Sequence, residues 1–199
     1  MFPLVLLGLA GVVAAAVGLS QGNLKHVAAG LGLPLTYVQS ASKWARKRGL
    51  QLDWVLATIL VESNGNARAA GDSDGRSAGL MQVNTVAHAA EMRAAGVTRA
   101  QMFDPETNIE WGTKYLRQFR DETQAAAVHG LPAALDELTR LAYKGPTAVY
   151  SVLRRGGNPL TELSWAPEAI TRWRQALVRV RGAAAQGRAL AARGARRVS

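Results

Sequence analysis

The sequence contains no cysteine. That single absence excludes thiol nucleophiles, disulfide scaffolding and cysteine-ligated zinc. Histidine is scarce too. His26, His88 and His129 are scattered and form no HExxH or comparable ligand spacing, so nothing supports a metallopeptidase or a zinc amidase. Neither a metal nor a cofactor is expected. No run alternates apolar and polar residues long enough for a convincing strand, no segment repeats, and no domain-sized linker divides the chain. Acidic residues are few, 14 against 24 lysines and arginines, for a formal charge of +10. None of them follows Glu168. Such a balance favours association with polyanions without naming one.

At 199 residues and 48% hydrophobic composition, the chain has room for one domain with a sizeable core and short extensions, and none for a second enzyme domain. Residues 2–19 carry no charged side chain. A run of about 18 apolar residues is near the lower limit for spanning a bilayer, and only the terminal amine precedes it, unlike the positive n-region of a signal peptide. Residues 1–22 are therefore expected to be an uncleaved hydrophobic arm, anchored in a membrane or seated in a larger assembly. Residues 20–33 read as a linker or short helix.

From residue 34 onward the chain is punctuated into helices. Pro34 opens a helix with Val38, Ala41, Trp44 and Ala45 at helical spacing, and Gly49 ends it. Asp53 is expected to cap a second helix running from Trp54 to Ser63. That helix is apolar almost all round, which marks it as the central buried one, and Asn64 with Gly65 supplies its left-handed stop. Residues 70–77 are turn chemistry. Asp72 and Asp74 there lack the later ligands and closing Glu of a calcium loop, and read as solvated turn carboxylates. Residues 86–95 look helical. Asp104 caps a longer helix, with Pro105 in its first turn and Ile109, Gly112, Leu116 and Phe119 on its apolar face. A helix over 132–143 turns Leu135, Leu138, Leu141 and Ala142 inward and is broken by Lys144, Gly145 and Pro146. From Pro167 a last helix carries Ile170, Trp173, Leu177 and Val180, and its arginines grade into a basic, frayed tail over 181–199. The fold class expected is all-α, with one helical domain over 23–180.

The candidate for chemistry is Glu62. It ends the apolar helix and so sits where a core helix opens onto a cleft, a setting in which a carboxyl group can serve as proton donor. Around it, Glu62 with Ser63, Gly71 and Asp72 with Ser77, the run Gly79, Leu80, Met81, Gln82, then Asp104 with Pro105, Asn108 with Ile109, Gly112, Tyr115 with Leu116, and Ala142 with Tyr143 occur in that order along the chain. This series resembles the soluble lytic transglycosylases and the related goose-type lysozymes, enzymes that cut the glycan strands of bacterial peptidoglycan. The resemblance implies a lysozyme-like helical domain with Glu62 as its catalytic acid and base. It further implies that Ser63 hydrogen-bonds near the acid, that Gln82 and Asn84 contact the sugar, and that Tyr143 holds Glu62 or the substrate's N-acetyl group through its hydroxyl.

Most glycosidases use two carboxylates; the resemblance supplies one. In the transglycosylases one Glu protonates the bond between MurNAc and GlcNAc, the substrate's N-acetyl group stabilises the cationic centre, and the sugar's 6-hydroxyl closes a 1,6-anhydro ring. Two positions depart from the related patterns. Asn84 stands where goose-type lysozymes have an aspartate, and an amide is no base for water, which favours the transglycosylase. Lys144 stands where the family usually has Asn. The alternatives are a lysozyme-type hydrolase of the same bond, with Asp72 or Asp74 folding inward as second carboxylate, or a weakly active structural protein that binds DNA or wall. The partners expected are peptidoglycan strands, a membrane or virion assembly through residues 2–19, and a polyanion, DNA or wall polymer, through the C-terminal arginines. The location expected is a phage virion or a membrane facing the wall, with local wall opening by a virion or a secretion apparatus as the task.

Overall fold

The computed structural model describes residues 21–71, 75–126 and 135–195. In chain order the described elements are α1 (Gln21–Leu31), α2 (Leu35–Arg48), α3 (Leu52–Ser63), β1 (Ala70–Gly71), β2 (Ser77–Ala78), β3 (Val83–Asn84), α4 (Ala89–Ala94), a 3-10 turn (Ala100–Phe103), α5 (Pro105–Ala126), α6 (Leu135–Lys144), α7 (Pro146–Arg154), α8 (Pro159–Glu162) and α9 (Ala166–Ala195). The chain is an all-α domain in which three two-residue strands are the only extended elements among the described residues. Those strands form an antiparallel sheet in the order β1-β2-β3, pairing Gly71 with Ser77 and Ser77 with Asn84. At two residues each they are too short to leave a period-two signature in the sequence.

Helix α3 is the axis of the core. Trp54 through Leu60 are all buried, the outcome of an apolar surface on every side. Helices α2 and α9 pack against it, and the Trp54 ring meets the edge of Trp173 from α9 at a centroid distance of 5.8 Å. The helix starts two residues earlier than Asp53 capping requires. Gln51 is the N-cap and Asp53 lies in the first turn, where one oxygen accepts from the Trp54 N–H and the other from Arg181 Nε at 2.8 Å. A carboxylate in the first turn also complements the helix dipole. At the other end Asn64 adopts φ 49°, the left-handed stop, and its N–H returns to the Leu60 carbonyl.

The last helix is longer than its sequence suggests. It runs without a break to Ala195, past residue 180, so residues 181–195 continue α9 and are not a frayed segment. The reason is packing. Helix α1 lies along α9, Ala183 is buried, and Gly30 and Gly187 are flat enough for the two helices to touch: a Cβ at Gly30 would meet Ala183, and one at Gly187 would meet His26. The arginines of this stretch stay on the exposed side. Residues 2–19, Asp72, Asp74 and residues 127–134 lie outside the described residues. Among the described residues no helix is long and apolar enough to cross a membrane.

What this scaffold positions is a turn over residues 79–82, clamped by one buried side chain. Asn108 on α5 is fully buried. Its Oδ1 accepts from the Met81 N–H at 2.7 Å, and its Nδ2 donates to the carbonyls of Ala78 and Met102 at 2.8 and 2.9 Å. Gly79 at φ 76° sits directly on this amide, where any Cβ would collide with Asn108 and the Met102 carbonyl. Gly112, one turn further along α5, leaves space for Met81 in the same way.

The clamp and the α1–α9 seam can each be tested by unfolding. Asn108→Ala removes three buried hydrogen bonds at about 1 kcal/mol each and strands their partners, so urea unfolding should show a loss of at least about 3 kcal/mol. Truncation after Val180 uncovers the inner face of α1 and should cost at least about 1.5 kcal/mol, the scale of exposing one aliphatic side chain. Replacing Arg188 and Arg193 together by Ala should leave the unfolding midpoint in place.

Candidate active site

The end of α3, the small sheet and α6 surround a cleft of about 610 Å³. Glu62 comes from α3, Gln82 from the clamped turn and Asn84 from β3. Arg140, Tyr143 and Lys144 come from α6, where their i, i+3, i+4 spacing puts them on one face. Tyr115 and Phe119 on α5 and His88 before α4 line it as well, with Arg172 of α9. Glu62 is the only acidic residue lining the cleft among the described residues.

Helix α3 carries Glu62 to the cleft because its stop falls two residues later, at Asn64. The carboxyl group is neither free nor held by the residues expected. Its Oε1 lies 2.7 Å from Nη1 of Arg140, and the two side chains are 19% and 3% exposed. The sequence pattern around Glu62 gives no sign of this cation, because the two partners are far apart in the chain and on different helices.

The other expected site residues turn toward the scaffold. Ser63 Oγ lies 2.8 Å from the Leu80 carbonyl and accepts from the Gly65 N–H, so it ties the end of α3 to the turn over 79–82 and not to Glu62. Gln82, at the strained φ of 48°, donates from Nε2 to the carbonyls of Gly79 and Ala69 at 2.8 and 3.0 Å, and its Oε1 lies against Gly71. Asn84 Oδ1 accepts from the N–H groups of Val86 and Ala87. The Tyr143 hydroxyl donates to the Met81 carbonyl at 2.8 Å. The Met81 carbonyl is fixed beneath that hydroxyl because Asn108 already holds the Met81 N–H.

Electrostatics distinguish the aromatic lining. Burial, reinforced by the nearby Glu62 carboxylate, pushes the Tyr143 phenol far above the usual tyrosine range, so it remains a neutral hydrogen-bond donor. His88 stacks on Tyr115 with ring centroids 3.5 Å apart. Burial lowers its imidazole below the ordinary histidine value, against the opposing pull of Glu91. The Tyr115 hydroxyl donates to Glu91 Oε2 at 2.7 Å, and burial together with that bond raises its phenol. Glu91 in turn is held low by its hydrogen bonds to Lys114 and Tyr115. In the sequence His88 stands out only as one of three scattered histidines. Among the described residues no three His, Asp or Glu side chains gather to hold a metal ion.

Among the described residues the cleft thus brings one carboxylate at a helix end together with a clamped glycine turn and a tyrosine on a facing helix. Comparison with curated proteins found no match. Residues 39–147, more than half of the chain, match the family described as Transglycosylase SLT domain. The matched stretch begins within α2 and ends at the start of α7, and so contains every residue lining the cleft except Arg172. The chain belongs to the transglycosylase SLT domain family and is a peptidoglycan lytic transglycosylase.

Proposed function

We propose that Glu62 is the sole catalytic acid and base of this enzyme and that its products carry 1,6-anhydro-MurNAc ends. The observation that carries the reading is the composition of the cleft: among the described residues only Glu62 brings a carboxylate to it. In the first step Glu62 gives its proton to the glycosidic oxygen between MurNAc and GlcNAc, and the substrate's own N-acetyl group stabilises the cationic centre. In the second, the carboxylate accepts the proton of the 6-hydroxyl as that oxygen bonds to the anomeric carbon. The intramolecular hydroxyl is held beside the reacting carbon, so its effective concentration exceeds that of competing water. Asn84 supports this reading over hydrolysis, because its carbonyl is already engaged by two backbone N–H groups and an amide has no basic oxygen.

The reading extends to where the enzyme works. The uncharged residues 2–19 would hold it in a virion or in a membrane facing the wall, and the C-terminal arginines would add attraction for DNA or an anionic wall polymer, for local wall opening. The support for this part is the sequence, through its uncharged start and its formal charge of +10.

Glu62→Gln keeps the shape of the acid and removes the transferable proton. Turnover on purified peptidoglycan should fall by at least about a hundredfold, the scale of a general-acid contribution. Near-normal turnover would remove Glu62 from the mechanism. Mass spectrometry of the released muropeptides decides the product: anhydro ends are one water lighter than hydrolysed ones, and a digest dominated by reducing ends would make the enzyme a lysozyme-type hydrolase. Deleting residues 2–22 should leave specific activity and a cooperative melt unchanged while abolishing sedimentation with membranes or virions.

A further inference from the structure

One charged group in the cleft has no part in that chemistry and no precedent in the motif series. Arg140 is a guanidinium on the inner face of α6, only 3% exposed. Burying such a cation costs several kcal/mol unless it is paired and its N–H groups are all bonded. Here they are not. Nε and Nη1 are buried and have no hydrogen-bond partner among the described residues. The 2.7 Å approach of Nη1 to Glu62 Oε1 is close enough for strong charge attraction but too poorly aligned for an N–H···O bond. The guanidinium carbon also lies 6.0 Å from the centroid of the Tyr143 ring.

A group arranged in this way is a poor structural stabiliser. Replacing a buried ion pair by apolar side chains of similar volume is often neutral or favourable for stability. The cleft's other cations stand elsewhere: Lys144 lies over the Trp165 ring, and Arg172 reaches Glu168 at 3.8 Å. Both are exposed, whereas Arg140 is the cation that touches Glu62 among the described residues.

We propose that Arg140 is the positioning residue of the catalytic carboxylate. It anchors Glu62 Oε1 at the cleft wall, and it balances the negative charge left on Glu62 after the proton has gone to the leaving oxygen. The same carboxylate is then still in place to act as base. The proposal rests on the reading of Glu62 as acid and base. It assigns Arg140 an action through Glu62 and not on the sugar, so the two can be separated by kinetics.

The test uses the full chain and purified peptidoglycan, with kcat and KM measured for Arg140→Ala, Arg140→Lys and Arg140→Met. Misplacing a reacting group by an ångström can cost about a hundredfold. Arg140→Ala should therefore lose at least about tenfold in kcat, with KM within about threefold of the wild type. Arg140→Lys should recover part of the loss. Free guanidinium ion, below denaturing concentration, should do the same for Arg140→Ala and not for Glu62→Gln. Arg140→Met should melt at or above the wild-type temperature. An unchanged kcat in Arg140→Ala overturns the proposal, as does a rise in KM alone, which would make Arg140 a sugar contact. A loss that neither lysine nor guanidinium repairs, accompanied by a lower melt, overturns it in favour of a structural role. A crystal structure of Arg140→Ala provides an arm that needs no activity: the Glu62 side chain should leave the position it holds beside Arg140, and an unmoved Glu62 refutes the proposal. If the wild type released no anhydro product, the proposed function would fail while this arm still decided the role of Arg140.

Discussion

The cleft depends on one buried amide. Asn108 grips the Met81 N–H and the carbonyls of Ala78 and Met102, and so fixes both ends of a turn that has no regular hydrogen-bond ladder of its own. A backbone segment of this kind cannot be buried unless each polar group finds a partner. Ser63 from α3 and Tyr143 from α6 supply others, and Gln82 within the turn bonds the Gly79 and Ala69 carbonyls. The α3 end, the sheet and α6 are thereby referenced to the same few backbone atoms. Glu62 and Arg140 inherit their separation from that shared reference.

This organisation gives several residues that resemble substrate contacts a bracing role. A motif records which residue types recur together; it does not record which way they face. Ser63, Gln82 and Tyr143 are polar residues at a cleft, a pattern that suits contact with a sugar equally well. Their hydrogen bonds to Leu80, Ala69, Gly79 and Met81 show that the same polarity satisfies the interior of the loop. Gln82 combines a positive φ with two hydrogen bonds from its amide nitrogen, to the Ala69 and Gly79 carbonyls. Local strain of that sort costs about 1–3 kcal/mol and persists where the surroundings over-determine it.

Local signals carried most of the helical architecture. The apolar perimeter of α3, the Asp104 cap with Pro105, the Gly49 stop and the break at Gly145 are short-range effects of backbone and side-chain chemistry, and the sequence displays them directly. Long-range pairing was invisible. Nothing near Glu62 announces Arg140, because an ion pair between separate helices has no sequence spacing. The length of α9 was hidden for a related reason. Its alanines, glycines and arginines resemble a solvated tail until Gly30 on α1 is seen to approach Ala183, which converts low-hydropathy residues into a packed seam. The three strands escaped because pairing of two residues at a time is set by the clamped turn and not by alternation.

A cleft with one carboxylate imposes a stricter geometry than one with two. Where two groups share the work, each needs to be correctly placed for a single proton transfer. In the proposed chemistry Glu62 takes part in both, once as acid and once as base, with its charge changing in between. A carboxylate free to swing toward solvent when it becomes negative would leave the second step without a base. Rigidity at the end of α3 limits the backbone, through the left-handed stop at Asn64 and the Ser63 tie to Leu80. Side-chain freedom remains, and a long-range cation is the means available to limit it. Placing Arg140 at 3% exposure with two unbonded nitrogens opposes stability. Proteins tolerate such local conflicts mainly where function requires them. In the proposed chemistry the pair therefore sits where the demand for a stationary charge is greatest, at the side chain that must be in the same place before and after the glycosidic bond breaks.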